Sequence, residues 1–376
     1  MIQKVSFRNF KAYRTLDLDL ERLTVLVGPN ASGKTTLLQG LRLATGWAAF
    51  SDLLPSASEL SALNSYGTSS PIELALSGSW KGVPGSVSIT SEPDKPDAVV
   101  KGQWQGSAFS FTNGMEVRPL VKLQVDIGEF MGLLRSTSIL RFESHALAAA
   151  AYSEDPVPAI AGNGEGLASV LAYLKLSQDE VFDEIELALK QIVPAVRRIR
   201  IERAEVKQTA LRTLSFEQQQ HRTSEQRTLW GNKVILDMRG AKGVAADSAG
   251  EGTLMVLGLL TVLMGPQKPR LVLLDDIELN LHPVAQGKLV ETLRKLQERD
   301  PELQIVATSH SPFILNYLRP EEVRMAFLSE NGFARCEKLT AHPEFERWKD
   351  MMSPGEFWST VGESWVENAE APKGHE

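Results

Sequence analysis

A single cysteine, Cys336, stands among 376 residues, so no disulfide can close within the chain and no cysteine-rich zinc site can form. That scarcity suits a reducing compartment. Long apolar runs are missing too, since the longest, Leu254 to Met264, is too short to span a bilayer. The opening Met1-Ile2-Gln3-Lys4-Val5-Ser6-Phe7 alternates apolar with polar and charged residues, unlike the apolar region of a signal peptide. A cytoplasmic protein without a membrane partner is expected. Nor is there an excess of positive charge: at a net −7, only a local patch could attract nucleic acid. What is there is ordinary for a soluble globular chain, 43% hydrophobic and 23% charged, with length for one large domain or two to three smaller ones.

Against that background one stretch organises the rest. Gly28-Pro29-Asn30-Ala31-Ser32-Gly33-Lys34-Thr35 fits G-x-x-x-x-G-K-[ST]. Leu23 to Val27 in front of it predicts a buried strand, and Leu37, Leu38 and Leu41 behind it recur on one face of a helix opening near Gly33. The stretch is therefore a strand-to-helix turn whose glycines let backbone N–H groups curl around a phosphate. The helix N-terminus adds partial positive charge, Lys34 can reach β and γ phosphates, and Thr35 can place its hydroxyl on Mg²⁺.

Three further pieces belong with it. Leu271-Val272-Leu273-Leu274-Asp275-Asp276 is an apolar run ending in two carboxylates, which predicts a strand covered on both faces, as in a parallel sheet. Asp275 at its end can hold Mg²⁺, usually through water, and Asp276 and Glu278 are candidates to orient the attacking water. The plainer alternative is an acid pair that caps a helix. Asp247-Ser248-Ala249-Gly250-Glu251 precedes an almost wholly apolar helix, Thr253 to Met264. Alone, Ser248 with Glu251 reads as a capping box. Beside a phosphate loop it reads as a second phosphate-facing helix start, with Gly250 letting a γ-phosphate approach. Gln304 to His310 is another short strand with a polar end, separated from the first by a crossover helix, Pro283 to Gln297, with Leu289, Val290, Leu293 and Leu296 inward. His310 then falls at the sheet edge of Gly28 and Asp275, able to sense or polarise the γ-phosphate.

Around these pieces, residues 2 to 27 predict two or three strands, with Asp17 and Asp19 as a wet face rather than a metal-binding D-x-D. Residues 45 to 70, rich in Ser, Ala and Gly, read as a connecting or partly disordered stretch, and Ile72 to Val125 as an antiparallel β region. Residues 166 to 193 read as helical, closed by Pro194. From Arg197 to Arg212, six basic and two acidic residues fall within 16 positions. They form either a DNA-backbone stripe, carried by Arg197, Arg198, Arg200 and Arg203, or the solvated face of a strand. Glu217 to Gln226 is a polar block, and from Glu367 the chain reads as a frayed tail.

Taken in order, phosphate loop, S-x-G-E, acid-tipped strand and strand-end histidine resemble the ATPase head of the ABC superfamily, within its RecF/SMC/OLD branch. The Ile2-to-Leu20 pattern around Arg8-Asn9-Phe10-Lys11, Glu278-x-x-x-His282-Pro283, and Thr308-Ser309-His310-Ser311-Pro312 are most similar to the ATPase part of OLD-type proteins. The resemblance implies an α/β fold: an ABC-type P-loop head with a mixed, largely parallel core sheet, an antiparallel β subdomain and a helical insert. A single head over residues 1–376 is expected, with an N-terminal lobe at 1–150, a helical and β insert at 151–240 and a C-terminal lobe at 241–376. ATP and Mg²⁺ are the implied cofactors. Asn30, Ala31, Ser32, Gly33, Lys34, Thr35 and Thr36 would bind phosphates, and Thr35 and Asp275 the metal. Ser248, Gly250 and Glu251 would be the signature, with Asp276, Glu278 and His310, the switch histidine, catalytic. In such heads the signature completes the other protomer's site, so two ATPs are sandwiched in a head-to-tail homodimer.

The chain departs from that pattern at Asp276, where these families most often carry the longer Glu. Slow hydrolysis is expected, because a general base has to reach its water. The Q-loop glutamine has only Gln124 as a candidate. More than 200 residues between Thr36 and Ser248 disfavour a transporter subunit. Asn232-Lys233-Val234-Ile235 breaks the N-K-x-D of a GTPase. The 66 residues after His310 hold no D-x-D, so the TOPRIM nuclease of OLD-type proteins is not expected in this chain. Two functions remain: the ATPase that controls a separate effector subunit, a nuclease, in DNA metabolism or anti-phage defence, and a RecF-like repair clamp on double-stranded DNA.

Overall fold

A computed structural model describes residues 1–49, 63–65, 67–68, 70–92, 98–113, 125–216 and 219–362. The chain divides into two compact units, one of Met1–Ile139, Pro269–Glu278 and Leu289–Glu376, the other of Leu140–Lys268 and Leu279–Lys288. This division cuts across the three lobes drawn from sequence.

The first unit opens with β1 (Ile2–Phe10), β2 (Tyr13–Asp19) and β3 (Leu23–Val27). β1 and β2 pair antiparallel with Val5, Phe7, Leu16 and Leu18 inward. Asp17 faces solvent and accepts from Ser6 Oγ and Arg8, while Asp19 pairs with Lys338. Both carboxylates lie on the solvent face that the alternation predicts. β3 is buried throughout and leads into α1 (Lys34–Ala48), whose Leu37, Leu38 and Leu41 point into the core. Residues 45 to 48 are thus helical rather than connecting, because Ala44, Trp47 and Ala48 continue the buried stripe. Residues 50–62 lie outside the described residues, as do Gln124 and the tail from Glu367.

β4 (Ile72–Trp80), β5 (Val83–Ser91), β6 (Ala98–Trp104) and β7 (Ser107–Asn113) complete an antiparallel sheet in the order β2-β1-β4-β5-β6-β7. α2 (Val125–Arg135) inserts Phe130 between Trp80 and Trp104, ring centroids 5.0 and 5.5 Å away. β8 (Thr137–Leu140) follows.

The second unit holds α3 (Ser144–Ala148), α4 (Leu167–Ser177) and α5 (Asp179–Ile192), the last two being the helical stretch before Pro194. β9 (Val196–Phe216) and β10 (Gln219–Met238) then form an antiparallel ribbon in one register from Arg198↔Asp237 to Phe216↔Gln219, with a shift at the base to Val196↔Met238. β11 (Ala241–Ala245) pairs with its base alone, at Ile235, Leu236 and Met238. The polar block is therefore strand from Gln219 onward. α6 (Glu251–Met264) is buried over most of its surface and packs on α3, α4 and α5. Those contacts place it with the insert, although it neighbours β12 in sequence.

The chain continues through β12 (Leu271–Leu274), α7 (Pro283–Arg299), β13 (Gln304–Ser309), α8 (Pro312–Leu315), β14 (Val323–Leu328), β15 (Ala334–Lys338), α9 (Phe345–Trp348) and α10 (Pro354–Val361). The core sheet of the first unit runs β15-β14-β3-β13-β12-β8. β12, β13, β3 and β14 are parallel, while β15 is antiparallel to β14. The carboxyl ends of β3, β13 and β12 therefore lie side by side, where open parallel sheets bind ligands. No described helix is long and apolar enough to cross a membrane.

Candidate functional site

Gly28, Asp275 and His310 each follow directly on one of those three strand ends. In the phosphate loop Lys34 is buried and its Nζ donates to the carbonyls of Gly28 and Pro29 at 2.8 and 2.7 Å. Gly33 is the N-cap of α1 at φ 94°, and a Cβ there would lie 2.7 Å from that of Ala334 and 3.1 Å from the Tyr13 hydroxyl. Only glycine meets both demands. Asn30 and Ala31 are exposed, while Thr35 and Thr36 are half-buried in the first turn.

A triphosphate fits this loop. The N-cap of α1 is Gly33, which offers no side chain to cap it, and an uncapped helix start favours an anion. The buried Ser32 hydroxyl has no hydrogen-bond partner, which an anionic oxygen would supply. Thr35 Oγ1 lies 3.3 Å from Asp275 Oδ1, close enough for one Mg²⁺ to take both. The described residues contain no group of three or more His, Cys, Asp or Glu that could hold a metal. Mg²⁺ is commonly held by one or two carboxylates plus substrate phosphates, and the Thr35–Asp275 pair matches that habit.

The acids beyond Asp275 are arranged by β13. Thr308 Oγ1 donates to Asp275 Oδ1 at 2.7 Å and accepts from Asp276 N–H at 2.9 Å. One buried hydroxyl thus orients both residues. Glu278 Oε1 accepts from the His310 N–H at 2.9 Å, and its Oε2 is buried without a partner. His310 Nε2 lies 3.7 Å from Asp276 Oδ1. Partial burial, then the negative charges of Glu278 and Asp275, raise the Asp276 carboxyl above its ordinary pKa. Asp275, Asp276, Glu278 and His310 are thus together with Lys34 and Thr35. Thr308 was missed as a site residue, although its place in Thr308-Ser309-His310 at a parallel strand's end was the available signal.

Ser248, Gly250 and Glu251 lie in the second unit. The capping box does not form: Ser248 closes a 3₁₀ turn and donates to Asp247, and Gly250 is the N-cap of α6. Glu251 accepts from Ser144 Oγ at 3.1 Å and Asn280 Nδ2 at 3.2 Å, two partners sequence reading did not identify. In the ribbon, Arg197, Arg198 and Arg203 are exposed, with Arg203 stacked over Trp230 at 5.6 Å. Arg200 is engaged by Glu202 at 2.9 Å and Asp237 at 3.6 Å.

Parts of the chain, and its fold, are similar to known proteins. Residues 136–316 match the family described as "AAA domain, putative AbiEii toxin, Type IV TA system", and residues 1–76 match "AAA ATPase domain". An OLD nuclease of Thermus scotoductus is 41% identical over 46 residues, so the match spans 12% of this chain and only 9% of that protein. An SMC head bound to the C-winged helix domain of ScpA is similar at a TM-score of 0.56 and 12% identity, covering 89% of this chain and 97% of that one. An SMC head with an extended coiled coil, bound to the C-terminal domain of ScpA derived from Pyrococcus furiosus, gives 0.55 at 10% identity, covering 93% and 99%. The fold is that of the SMC heads. The phosphate loop and the two ATPase-domain matches mark the chain as a P-loop ATPase, similar over a short stretch to an OLD nuclease.

Proposed function

We propose that the chain is the ATPase of a two-part system, in which ATP-driven head-to-tail pairing of two copies controls a separate effector in DNA metabolism or anti-phage defence. The turn at Gly250 carries this reading. Gly250 is exposed at φ 83°, with no heavy atom within 4 Å of where its Cβ would stand, and no side chain caps the 14-residue helix it opens. An open helix start of this kind favours an anion, and S-x-G-E is the pattern that reaches a second protomer's nucleotide. The relatives support a separate effector: one is named a nuclease, one family match is described as a putative toxin, and the similar heads are bound to a domain of another protein. By this reading the effector, not this chain, is the nuclease.

Bound Mg²⁺·ATP supplies the scissile anhydride and a cation that screens its charge. Lys34 would leave the Gly28 and Pro29 carbonyls for the β and γ phosphates, while Thr35 and Asp275 would hold the metal. Asp276 orients the water and takes its proton. Glu278 holds the His310 backbone N–H, which keeps the imidazole beside Asp276. Turnover is slow because the Asp276 side chain is short. ATP then stabilises the pair and hydrolysis releases it, which makes pairing a two-state switch.

A second reading, a clamp on double-stranded DNA, has its own observation. β9 and β10 extend over 21 and 20 residues, roughly 65 Å of two-stranded ribbon, and such ribbons fit the major groove. Sedimentation and ATPase rate decide between them. The unmodified chain pairs with ATP and Mg²⁺ and separates without nucleotide, whereas Lys34→Ala neither binds nor pairs. Indifference of the rate to double-stranded DNA, with a stable complex to a co-purifying protein, supports the effector. Strong stimulation by DNA alone moves the assignment to the clamp. A chain that hydrolyses ATP equally well at every dilution and never pairs overturns both.

A further inference from the structure

His310 and Ser311 are the two residues that bridge the end of β13 and the start of α8. Upstream the bridge is fixed, since Ser309 is buried at the strand end and Glu278 Oε1 accepts the His310 N–H at 2.9 Å. Ser311 is extended at φ −98° and ψ 116°, the region that a following proline imposes, and its N–H donates to Ser309 Oγ at 3.0 Å. What freedom is left in the bridge is decided by where Pro312 comes to rest. Pro312 rests on α10. A Cβ on Gly355 would stand 2.1 Å from the Pro312 carbonyl oxygen and 2.4 Å from Asn316 Oδ1, so the first turn of α10 lies flush against α8 and admits only glycine there. The contact is also bonded: the Gly355 N–H, a donor that a helix start leaves without an intrahelical acceptor, donates to Asn316 Oδ1 at 2.9 Å. α10 has little freedom of its own. Ser353 and Glu356 close a capping box at its start, and Phe357 is buried against His342, ring centroids 5.0 Å apart. All of these residues belong to the first unit.

We propose that Asn316 is a positioning residue for His310. By accepting from Gly355 it seats α8 on α10, and that seat sets where the bridge carries the His310 imidazole, whose Nε2 stands 3.7 Å from Asp276 Oδ1. A shift of Pro312 by about an ångström is enough to spoil such a placement. The inference rests on the reading of His310 as the residue that senses or polarises the γ-phosphate. Asn316 acts through that imidazole, so its loss shows in the rate of hydrolysis and not in the binding of ATP.

Two variants break the seat in different ways: Asn316→Leu removes the acceptor at similar size, and Gly355→Ala forces the two helices apart. Each is expected to lower kcat about tenfold, the size of a lost hydrogen bond, with ATP affinity unchanged in a separate binding titration. Asn316→Asp keeps an oxygen for the Gly355 N–H, at a helix start that favours a negative charge, and retains the kcat of the parent. Combination with His310→Ala is the sharper readout. Once the imidazole is gone, Asn316→Leu has nothing left to misplace and costs no further activity, whereas a general loosening of the fold adds its loss to that of His310→Ala. Additive losses therefore overturn the inference. So does a kcat that Asn316→Leu and Gly355→Ala both leave unchanged while His310→Ala lowers it, a result under which the role of His310 stands. A His310→Ala variant that keeps the kcat of the parent removes that role and this inference together.

Discussion

Asp276 and Glu278 are two residues apart, yet their oxygens are committed differently. Glu278 spends one on the His310 N–H and keeps the other buried without a partner. Asp276 has a 60% exposed side chain and a carboxyl made more basic by partial burial and by its two acidic neighbours. A raised pKa strengthens a proton acceptor that still has room for water. Asp276→Asn is therefore expected to lower kcat about a hundredfold, within the usual range for a general base, while ATP affinity is retained. Glu278→Gln keeps an oxygen for the His310 N–H and is expected to lose less than about tenfold. Single-turnover hydrolysis with separate binding titrations measures both. The reverse ranking would assign the water to Glu278. Of this arrangement the residue types were legible in order along the chain, because strand-end acids and a strand-end histidine are local patterns. The two hydrogen bonds by which Thr308 holds Asp275 and Asp276 were not, since its place at the strand end marks the position but not the partners across the sheet.

Elements tell the same story through what holds them. The 3₁₀ turn Pro320–Glu322 leads into β14 and is tied to α7 by a buried carboxylate. Glu322 accepts from Arg294 at 2.8 and 2.7 Å and from the Arg319 N–H and guanidinium at 2.7 to 3.0 Å. Burial alone would push its pKa up, but the hydrogen bonds from Arg294 and Arg319 hold it below the usual 4.5. A depressed folded pKa means stability that is present above the unfolded value and lost as pH falls through the folded one. Glu322→Gln is thus expected to cost about 3 kcal/mol at pH 7, as when a buried ion pair loses one partner. The gap between parent and variant should narrow as pH drops below about 4, and denaturant melts at the two pH values measure it. A gap that widens in acid would exclude the ion pair as its source. β3, β12 and β13 were legible because strands covered on both faces read as unbroken apolar runs. The β9–β10 ribbon was half legible. From Gln219 it is rich in Gln, Thr, Ser and Arg, and its order comes from backbone pairing that leaves no mark on side-chain choice.

At the scale of the whole molecule, the phosphate loop and its acids belong to one compact unit and the Ser248–Glu251 turn to the other. Sequence order could not show that division, because the segment Pro269–Glu278 leaves the second unit, carries β12 and its acids, and is followed by Leu279–Lys288 in the second unit again. Ser248 makes a sharp test of what the second unit contributes. Its side chain is exposed and donates to the neighbouring Asp247, so Ser248→Arg should change stability by less than about 0.5 kcal/mol. The bulky cation can matter only where another surface closes over it. The variant is expected to bind ATP as the parent does, to sediment as a monomer with ATP and Mg²⁺, and to lose hydrolysis by about a hundredfold or more, in line with losing a positioned phosphate contact. Mixing it with Lys34→Ala sharpens the reading, since each protein lacks the half that the other retains. A head-to-tail pair of the two has one site that is doubly defective and one that is intact, so roughly half-site activity returns. Activity that stays absent in the mixture while each parent remains folded would show that Ser248 acts within its own chain, and the head-to-tail arrangement would have to be given up.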